Sequence, residues 1–214
     1  MNKNLVEIVA IIDESGSMAS LKNDIIGGFN NFVDQQKKIA GEARLSLVTF
    51  SDHVRTVLEG TPLQNVNLLN DSSYNPGGMT ALLDAVGTTV DKVGQRLALL
   101  PENARPGKVV VLIMTDGQEN SSREFKREQI AEKVKHQQSK YSWEFVFLGA
   151  NQDSFAEAST LGILRSHTYN YASTAKGLGE AYSTLNMVTA RARGGAVDNG
   201  AVADLNGTVI ASNT

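Results

Sequence analysis

The sequence predicts an α/β protein with a doubly wound, mostly parallel sheet, one antiparallel edge strand and helices on both faces. Two observations carry this prediction. Segments with the composition of buried strands alternate along the chain with segments whose apolar residues recur at helical spacing. The most hydrophobic segment, Val109–Met114, is a continuous apolar run, which is typical of a central strand covered on both faces. Together they indicate a Rossmann-like sheet between two helical layers.

Six segments have the length and composition of strands. They are Leu5–Ile12, Leu45–Phe50, Val54–Leu58, Val109–Met114, Ser142–Leu148 and His167–Tyr171. Only Ser51-Asp52-His53 separates the second segment from the third, which predicts a hairpin and therefore the antiparallel edge pair.

Helices are expected where apolar residues recur every three or four positions. The expected helices run from about Leu21 to Val33 and from Leu82 to Leu97, then over Glu124–Gln138, Ser154–Leu161 and Thr174–Arg191. Gly27 and Gly28 weaken the first helix, so we expect them to pack closely against a neighbour. The segment Thr61–Gly78 is rich in Pro, Asn, Ser and Gly and is expected to be mainly loop.

Composition excludes several classes of function. The 214 residues include no cysteine, which removes disulfides, thiolate zinc sites and cysteine nucleophiles. A net charge of -3 argues against sequence-independent nucleic-acid binding. The run Leu5–Ile12 is too short for a signal peptide, and no apolar stretch approaches the roughly 20 residues that cross a bilayer. We therefore expect a cytoplasmic protein with no nucleic-acid or membrane partner.

The domain prediction assigns residues 1–193 to one domain and residues 194–214 to a C-terminal tail. In the tail, Asn206-Gly207 lies between two short apolar segments, which is a strong hairpin signal. The tail is expected either to form this hairpin or to be disordered.

Three separated segments carry oxygen ligands where the first strand ends, where the second long helix begins and where the fourth strand ends. They are Asp13-Glu14-Ser15-Gly16-Ser17, Gly77-Gly78-Met79-Thr80 and Thr115-Asp116-Gly117. Ligands of open α/β sheets bind beyond the carboxyl ends of the strands, so these segments are expected to meet at one edge. Two carboxylates and three hydroxyls suit Mg2+, with Mn2+ or Ca2+ as substitutes, far better than zinc or copper.

These segments resemble the metal-ion-dependent adhesion site (MIDAS) of von Willebrand factor A (vWA) domains, and the similarity covers about residues 5–192. The resemblance implies a vWA fold and a cation held by five residues: Asp13, Ser15, Ser17, Thr80 and Asp116. It further implies that a partner protein supplies an Asp or Glu to the metal, and that the last helix shifts when this partner binds.

Structural explanations exist for single members of the set. Ser15, Ser17 and Thr80 could each cap the helix that follows, and Asp116-Gly117 is a common turn pair. All five coincide at one edge of the predicted sheet, which favours the metal site. Glu14 is expected at the exposed rim, and Asp84 is expected as a surface group or an outer group one turn beyond Thr80.

The function predicted from these residues is a Mg2+-dependent protein–protein interaction module without enzymatic activity. One alternative is a structural subunit of a larger assembly, cellular or viral. Another is a Mg2+-dependent phosphate-processing enzyme, since Asp13 follows a first strand as in haloacid-dehalogenase-type phosphatases. That chemistry needs a second acid where Ser15 stands, and none of the three histidines is expected near the site. The partner, the biological process and the oligomeric state are open.

Overall fold

The predicted sheet is present in a computed structural model, which describes residues 1–150 and 154–194. Within these residues six strands form one sheet in the order β3-β2-β1-β4-β5-β6. Their bounds are β1 Asn2–Asp13, β2 Glu42–Phe50, β3 Val54–Pro62, β4 Pro106–Thr115, β5 Glu144–Ala150 and β6 Thr168–Tyr171. Only the β2–β3 pair is antiparallel. The predicted fold class is therefore confirmed, including its antiparallel edge strand.

Five helices cover the two faces of the sheet in the described part of the chain. They are α1 Lys22–Lys37, α2 Leu82–Leu99, α3 Arg127–Tyr141, α4 Ser154–Thr160 and α5 Ala175–Ala192. Helices α1 and α5 pack on one face, and α2, α3 and α4 pack on the other. Helix α3 begins three residues later than predicted, because the backbone N–H groups of residues 123–125 donate to the Asp84 carboxylate instead of entering the helix.

Strand β1 shows why this sequence forms a strand buried on both sides. Ile8, Ala10 and Ile12 belong to the core under α1 and α5. Val9 and Ile11 belong to the core under α2, α3 and α4. Side chains of a strand point to alternating faces, so a continuous apolar run is the only pattern that satisfies both layers.

One of the two adjacent glycines in α1 is explained by packing. A side chain at Gly28 would collide with the ring of Tyr182 in α5, whereas a side chain at Gly27 would meet nothing within 4 Å. The predicted close approach is confirmed for Gly28 and wrong for Gly27. At Gly28 the missing side chain brings α1 and α5 together on the same face.

The strand order places a ligand-binding position between β1 and β4. The chain winds outward from β1 through β2 to β3 and then crosses to β4 on the other side of β1. This reversal opens a crevice at the carboxyl ends of the two central strands. Strand β1 ends there at Asp13 and β4 ends there at Thr115.

The opposite edge of the sheet carries a groove of about 570 Å³ whose lining includes Lys3 and Gly194. The predicted hairpin around Asn206-Gly207 lies outside the described residues, and the domain boundary at residue 193 stays a prediction. Among the described residues, every helix is too short or too polar to cross a membrane.

Candidate metal centre

The five predicted ligands come together at the carboxyl edge of the sheet. Ser15 Oγ lies 3.0 Å from Ser17 Oγ, and Ser17 Oγ donates to Asp116 Oδ1 at 2.5 Å. The backbone N–H of Ser15 donates to Asp13 Oδ1 at 2.7 Å. These contacts form a continuous chain of polar groups from the end of β1 to the end of β4.

Thr80 joins this group across Gly117. A Cβ atom built on Gly117 would lie 2.8 Å from Thr80 Oγ1 and 3.5 Å from Asp13 Oδ2. Both oxygens therefore approach the same glycine, which leaves no room for a side chain between them. Thr80 thus reaches the centre from the loop before α2, as the sequence predicted.

The capping explanations do not hold for Ser15 and Thr80. Ser15 stands at the N-cap of a short 3-10 turn, Gly16–Leu21, but its side chain makes no capping hydrogen bond. The N-cap of α2 is Ala81, not Thr80. Ser17 lies inside the 3-10 turn and donates to Asp116. None of the three hydroxyls therefore serves as a helix N-cap.

Two backbone hydrogen bonds connect the Asp13–Ser17 loop to the Gly77–Thr80 loop. Gly16 N donates to the Gly78 carbonyl at 3.1 Å, and Gly77 N donates to the Glu14 carbonyl at 2.9 Å. Gly78 has φ +78°, and a side chain there would collide with the Asp52 carboxylate. Only glycine takes this conformation readily, so Gly78 allows the two loops to pack edge to edge.

Glu14 is not an exposed rim residue, and that prediction is wrong. Its side chain is buried, and both its carboxylate oxygens accept from Arg55 Nη2, at 3.0 and 2.8 Å. Glu14 Oε1 also accepts from Asn75 N at 2.5 Å. Strand β3 and the loop after it cover Glu14, and contacts this distant in sequence leave no local signal.

Asp84 is buried, so of its two predicted positions the surface position is wrong, and the position as an outer group of the site remains. Its carboxylate accepts three backbone N–H groups, from Arg123, Glu124 and Phe125, at 2.7 to 2.9 Å. In the opposite direction, Glu119 Oε2 accepts from Leu83 N in the first turn of α2 at 2.9 Å. This reciprocal capping fixes the loop after Asp116 against the start of α2, and therefore fixes Asp116 relative to Thr80.

Three further side chains orient the acids of the centre, and the sequence analysis did not find them. Thr115 Oγ1 donates to Asp13 Oδ2 at 2.5 Å, and the Tyr74 hydroxyl donates to the Asp13 carbonyl at 2.6 Å. Ser173 Oγ donates to Asp116 Oδ2 at 3.3 Å. Thr115 carried a usable signal, since it precedes Asp116 at a strand end. Tyr74 and Ser173 carried none.

The electrostatics of the centre leave its two acids without a positive partner. Burial raises the pKa of Asp13, hydrogen bonds from Thr115 and Ser15 oppose that rise, and the charge of Asp116 adds to it. Among the ion pairs of the described residues, none involves Asp13 or Asp116. Two acids of like charge in a largely buried site favour a bound cation.

The donor set consists of oxygen atoms from two acids and three alcohols. Over residues 1–150 and 154–194 no group of three or more His, Cys, Asp or Glu side chains could hold a metal ion. None of the five side chains offers sulfur or nitrogen, so hard cations are the class that matches them.

The fold and the centre define an open α/β protein whose ligand site lies at the reversal of strand order. Comparison with known families then identifies the chain: it belongs to the von Willebrand factor type A domain family, whose sequence model matches residues 7–176. No curated protein sequence matches the chain significantly.

Solved structures show the same fold at low sequence identity. Proximal thread matrix protein 1 from the mussel byssus, solved with a zinc-occupied MIDAS motif, aligns with TM-score 0.61 and 16% identity over 88% of this chain and 47% of that chain. The vWF domain of a type V pili tip protein from Porphyromonas gingivalis aligns with TM-score 0.58 and 13% identity over 86% of this chain and 95% of that chain. The ArnB paralog VWA2 from Sulfolobus acidocaldarius aligns with TM-score 0.57 and 17% identity over 85% of this chain and 44% of that chain.

The chain spans less than half the length of the mussel and Sulfolobus chains. At these identities the likeness concerns the fold alone.

Proposed function

We propose that this chain is a metal-dependent protein-interaction module that holds Mg2+ at an intact MIDAS and takes a carboxylate from a partner protein. One observation supports the proposal most. Two acids and three hydroxyls meet where the strand order reverses, and neither acid has a cationic partner among the described residues. The proposed ligands are Asp13, Ser15, Ser17, Thr80 and Asp116.

The residues of the centre fit a hard divalent cation. All five side chains offer oxygen, which matches Mg2+ and its substitutes Mn2+ and Ca2+. Gly117 keeps the space between Thr80 Oγ1 and Asp13 Oδ2 free of any side chain. The mussel protein holds zinc at its motif, whereas the oxygen donors of this chain favour Mg2+.

The cation would supply an electrophilic position for an anionic ligand. Two carboxylates balance the charge of one dication, and the three hydroxyls add none, so the loaded centre would carry no net negative charge. A coordination position left open on the cation could then accept a further carboxylate. Hydrogen bonds from Thr115 and Ser173 orient the two carboxylates, and the hydroxyl of Tyr74 holds the main-chain carbonyl of Asp13. The shift of α5 on partner binding stays an expectation from the family resemblance.

We further propose that the chain is not an enzyme. Catalysis would need a base placed beside the centre. The side chain of His53 is 89% exposed, and its Nε2 lies 3.4 Å from Asp52 Oδ2, which is not one of the five proposed ligands. The alternative role as a structural subunit predicts that the metal stabilises the fold strongly, whereas an adhesion site should remain folded without it.

Metal binding is tested directly by titrating the full chain with Mn2+, followed by electron paramagnetic resonance, with Mg2+ as competitor. Wild type should bind Mn2+ and release it to Mg2+, and Asp116→Ala should lose this binding. Asp34→Asn removes an exposed acid on α1 and should bind like wild type. If Asp116→Ala binds as well as wild type, the proposed site is wrong.

Partner binding is tested by retaining proteins from native lysate on tagged chain in Mg2+ or in EDTA, with Asp13→Ala alongside. A protein retained only by wild type in Mg2+ supports the carboxylate mechanism. Equal retention in all arms argues that the centre plays no part in that contact. Circular dichroism of the EDTA sample should show the native fold, and unfolding in EDTA would favour the structural-subunit alternative.

A further inference from the structure

The hydroxyl of Tyr171, the last residue of β6, is a buried polar group that the five-residue centre leaves unexplained. The Tyr171 side chain is 3% exposed, and its hydroxyl has no hydrogen-bond partner in the described part of the chain. A buried hydroxyl without a partner carries a desolvation penalty and is uncommon in native proteins. Such a group calls for a physical reason.

Two other buried tyrosines of the same core show the usual arrangement. The Tyr74 hydroxyl donates to the Asp13 carbonyl at 2.6 Å, and the Tyr182 hydroxyl donates to the Ile25 carbonyl at 3.3 Å. Both satisfy their hydroxyls within the protein. Tyr171 differs because its donor is free while its ring is packed in the same core.

The position of Tyr171 places it at the metal edge of the sheet. It lies opposite Ala150, at the carboxyl end of the parallel pair β5–β6. Two residues later Ser173 Oγ donates to Asp116 Oδ2 at 3.3 Å. The segment that follows β6 therefore contacts Asp116, the acid that follows β4.

The charges around Tyr171 agree with this position. Burial is the largest cause of the raised pKa of Tyr171, and the charges of Asp116, Tyr182 and Asp13 raise it further, in that order. The phenol of a tyrosine is protonated at neutral pH, and a further rise of the pKa does not change that, so the hydroxyl is an O–H donor. Both acids of the candidate centre thus act on a donor that has no acceptor.

We propose that Tyr171 is a positioning residue of the metal centre, whose free hydroxyl donates to the Asp116 carboxylate when a cation fills the site. The proposal rests on the proposed function, because it needs the five residues to bind a cation. Mutation of a group that holds a metal ligand in place commonly lowers metal affinity by about 10–100-fold. Tyr171 is therefore a determinant of affinity that the MIDAS motif itself does not contain.

The experiment compares Tyr171→Phe with Tyr182→Phe in the full chain. Mn2+ affinity is measured by electron paramagnetic resonance, and the Tm is measured in EDTA. Tyr171→Phe should bind Mn2+ about tenfold more weakly, while its Tm in EDTA stays unchanged or rises because an unpaired hydroxyl is gone. Tyr182→Phe should keep wild-type affinity and lose Tm, because it gives up a hydrogen bond.

A tyrosine difference spectrum on Mg2+ addition supplies an independent readout. Wild type and Tyr182→Phe should show a change in tyrosine absorbance, and Tyr171→Phe should not. Wild-type affinity in Tyr171→Phe would overturn this inference and leave the proposed function standing. A lower Tm in EDTA together with weaker binding would overturn it in favour of a structural role. Failure of wild type to bind Mn2+ would overturn both.

Discussion

Strand β1 contains two fully buried acids that have opposite surroundings. Glu7 accepts from Arg96 Nη2 at 2.6 Å and from Ser46 Oγ at 2.9 Å. Asp13 receives hydrogen bonds only from neutral groups, Thr115 Oγ1 and Ser15 N. The charge that acts on the pKa of Asp13 is a second carboxylate, Asp116.

The difference separates a buried acid that is neutralised inside the protein from a buried acid that is left to bind a cation from solution. A buried acid needs compensation for the loss of water. For Glu7 the protein supplies that compensation itself, through a guanidinium brought from α2. For Asp13 the described residues supply hydrogen bonds but no positive charge, so a cation from solution is the compensation that fits. We therefore expect a metal-binding acid to be one that is buried without a cationic partner, as Asp13 is among the described residues.

The largest effect is expected from breaking the internal pair. Arg96→Met should lower the free energy of unfolding by about 3–5 kcal/mol, because it leaves Glu7 buried and uncompensated. Urea unfolding measures this loss. Removing both charges in Arg96→Met with Glu7→Gln should recover most of it, since Glu7 Oε2 and Arg96 Nε have no hydrogen-bond partner among the described residues. A double variant as unstable as the single one would contradict this account.

Removing the charge of the other buried acid, Asp13, should stabilise the metal-free protein rather than destabilise it. Asp13→Asn should raise the Tm of the metal-free protein, because burial and the charge of Asp116 disfavour the charged form. In wild type, Mg2+ at about 100 times its Kd should add roughly 2.7 kcal/mol of stability. The variant should show no such gain. Thermal unfolding in EDTA and in Mg2+ measures both effects, and a Mg2+-dependent rise of Tm in Asp13→Asn would count against the assignment.

A matched pair of glycine substitutions probes how tightly the centre is packed. In Gly117→Ala the new Cβ would lie 2.8 Å from Thr80 Oγ1, so Thr80 must move and Mn2+ affinity should fall about tenfold. Gly27→Ala meets nothing within 4 Å and should stabilise α1 by about 0.5–1 kcal/mol without changing affinity. Mn2+ titration and urea unfolding of both variants separate an effect on the metal centre from an effect on overall stability. Unchanged affinity in Gly117→Ala would show that the loops yield freely.

The smallest effect is expected at the ion pair beside the centre. The Arg55 side chain is 47% exposed, so Arg55→Met should cost no more than about 1 kcal/mol of stability. Mn2+ affinity should change little, because Glu14 keeps its hydrogen bond from Asn75 N. Urea unfolding and Mn2+ titration check the two expectations. A large loss of affinity would place Arg55 among the groups that determine the centre.

The sequence predicted those parts of the molecule that local patterns determine. The apolar run Val109–Met114 is buried in β4, and the short gap at Ser51–His53 produced the antiparallel pair. The five proposed ligands were located because each follows a strand or precedes a helix at a position that topology brings to one edge. Their convergence is visible in the structure, and their metal binding stays a proposal.

The remainder depends on partners that are distant in the chain. Glu14 was misplaced because its partner Arg55 reaches it from β3. The sequence left the position of Asp84 open, because Asp84 caps residues 123–125 rather than its own helix. An acid in the first turn of a helix is a capping signal, but the sequence does not name the segment that is capped. Tyr171 reads as an ordinary strand residue until its missing hydrogen bond is known.

The groove and the candidate metal centre lie at opposite edges of the sheet, so the molecule has two distinct ends. Lys3 and Gly194 both line it, so the chain enters and leaves the described fold on one side, while the five proposed ligands lie on the other. A surface or a fusion protein joined before Lys3 or beyond Gly194 would hold the molecule from behind. The face that carries the five proposed ligands would then point away from the attachment, where the proposed partner could reach it.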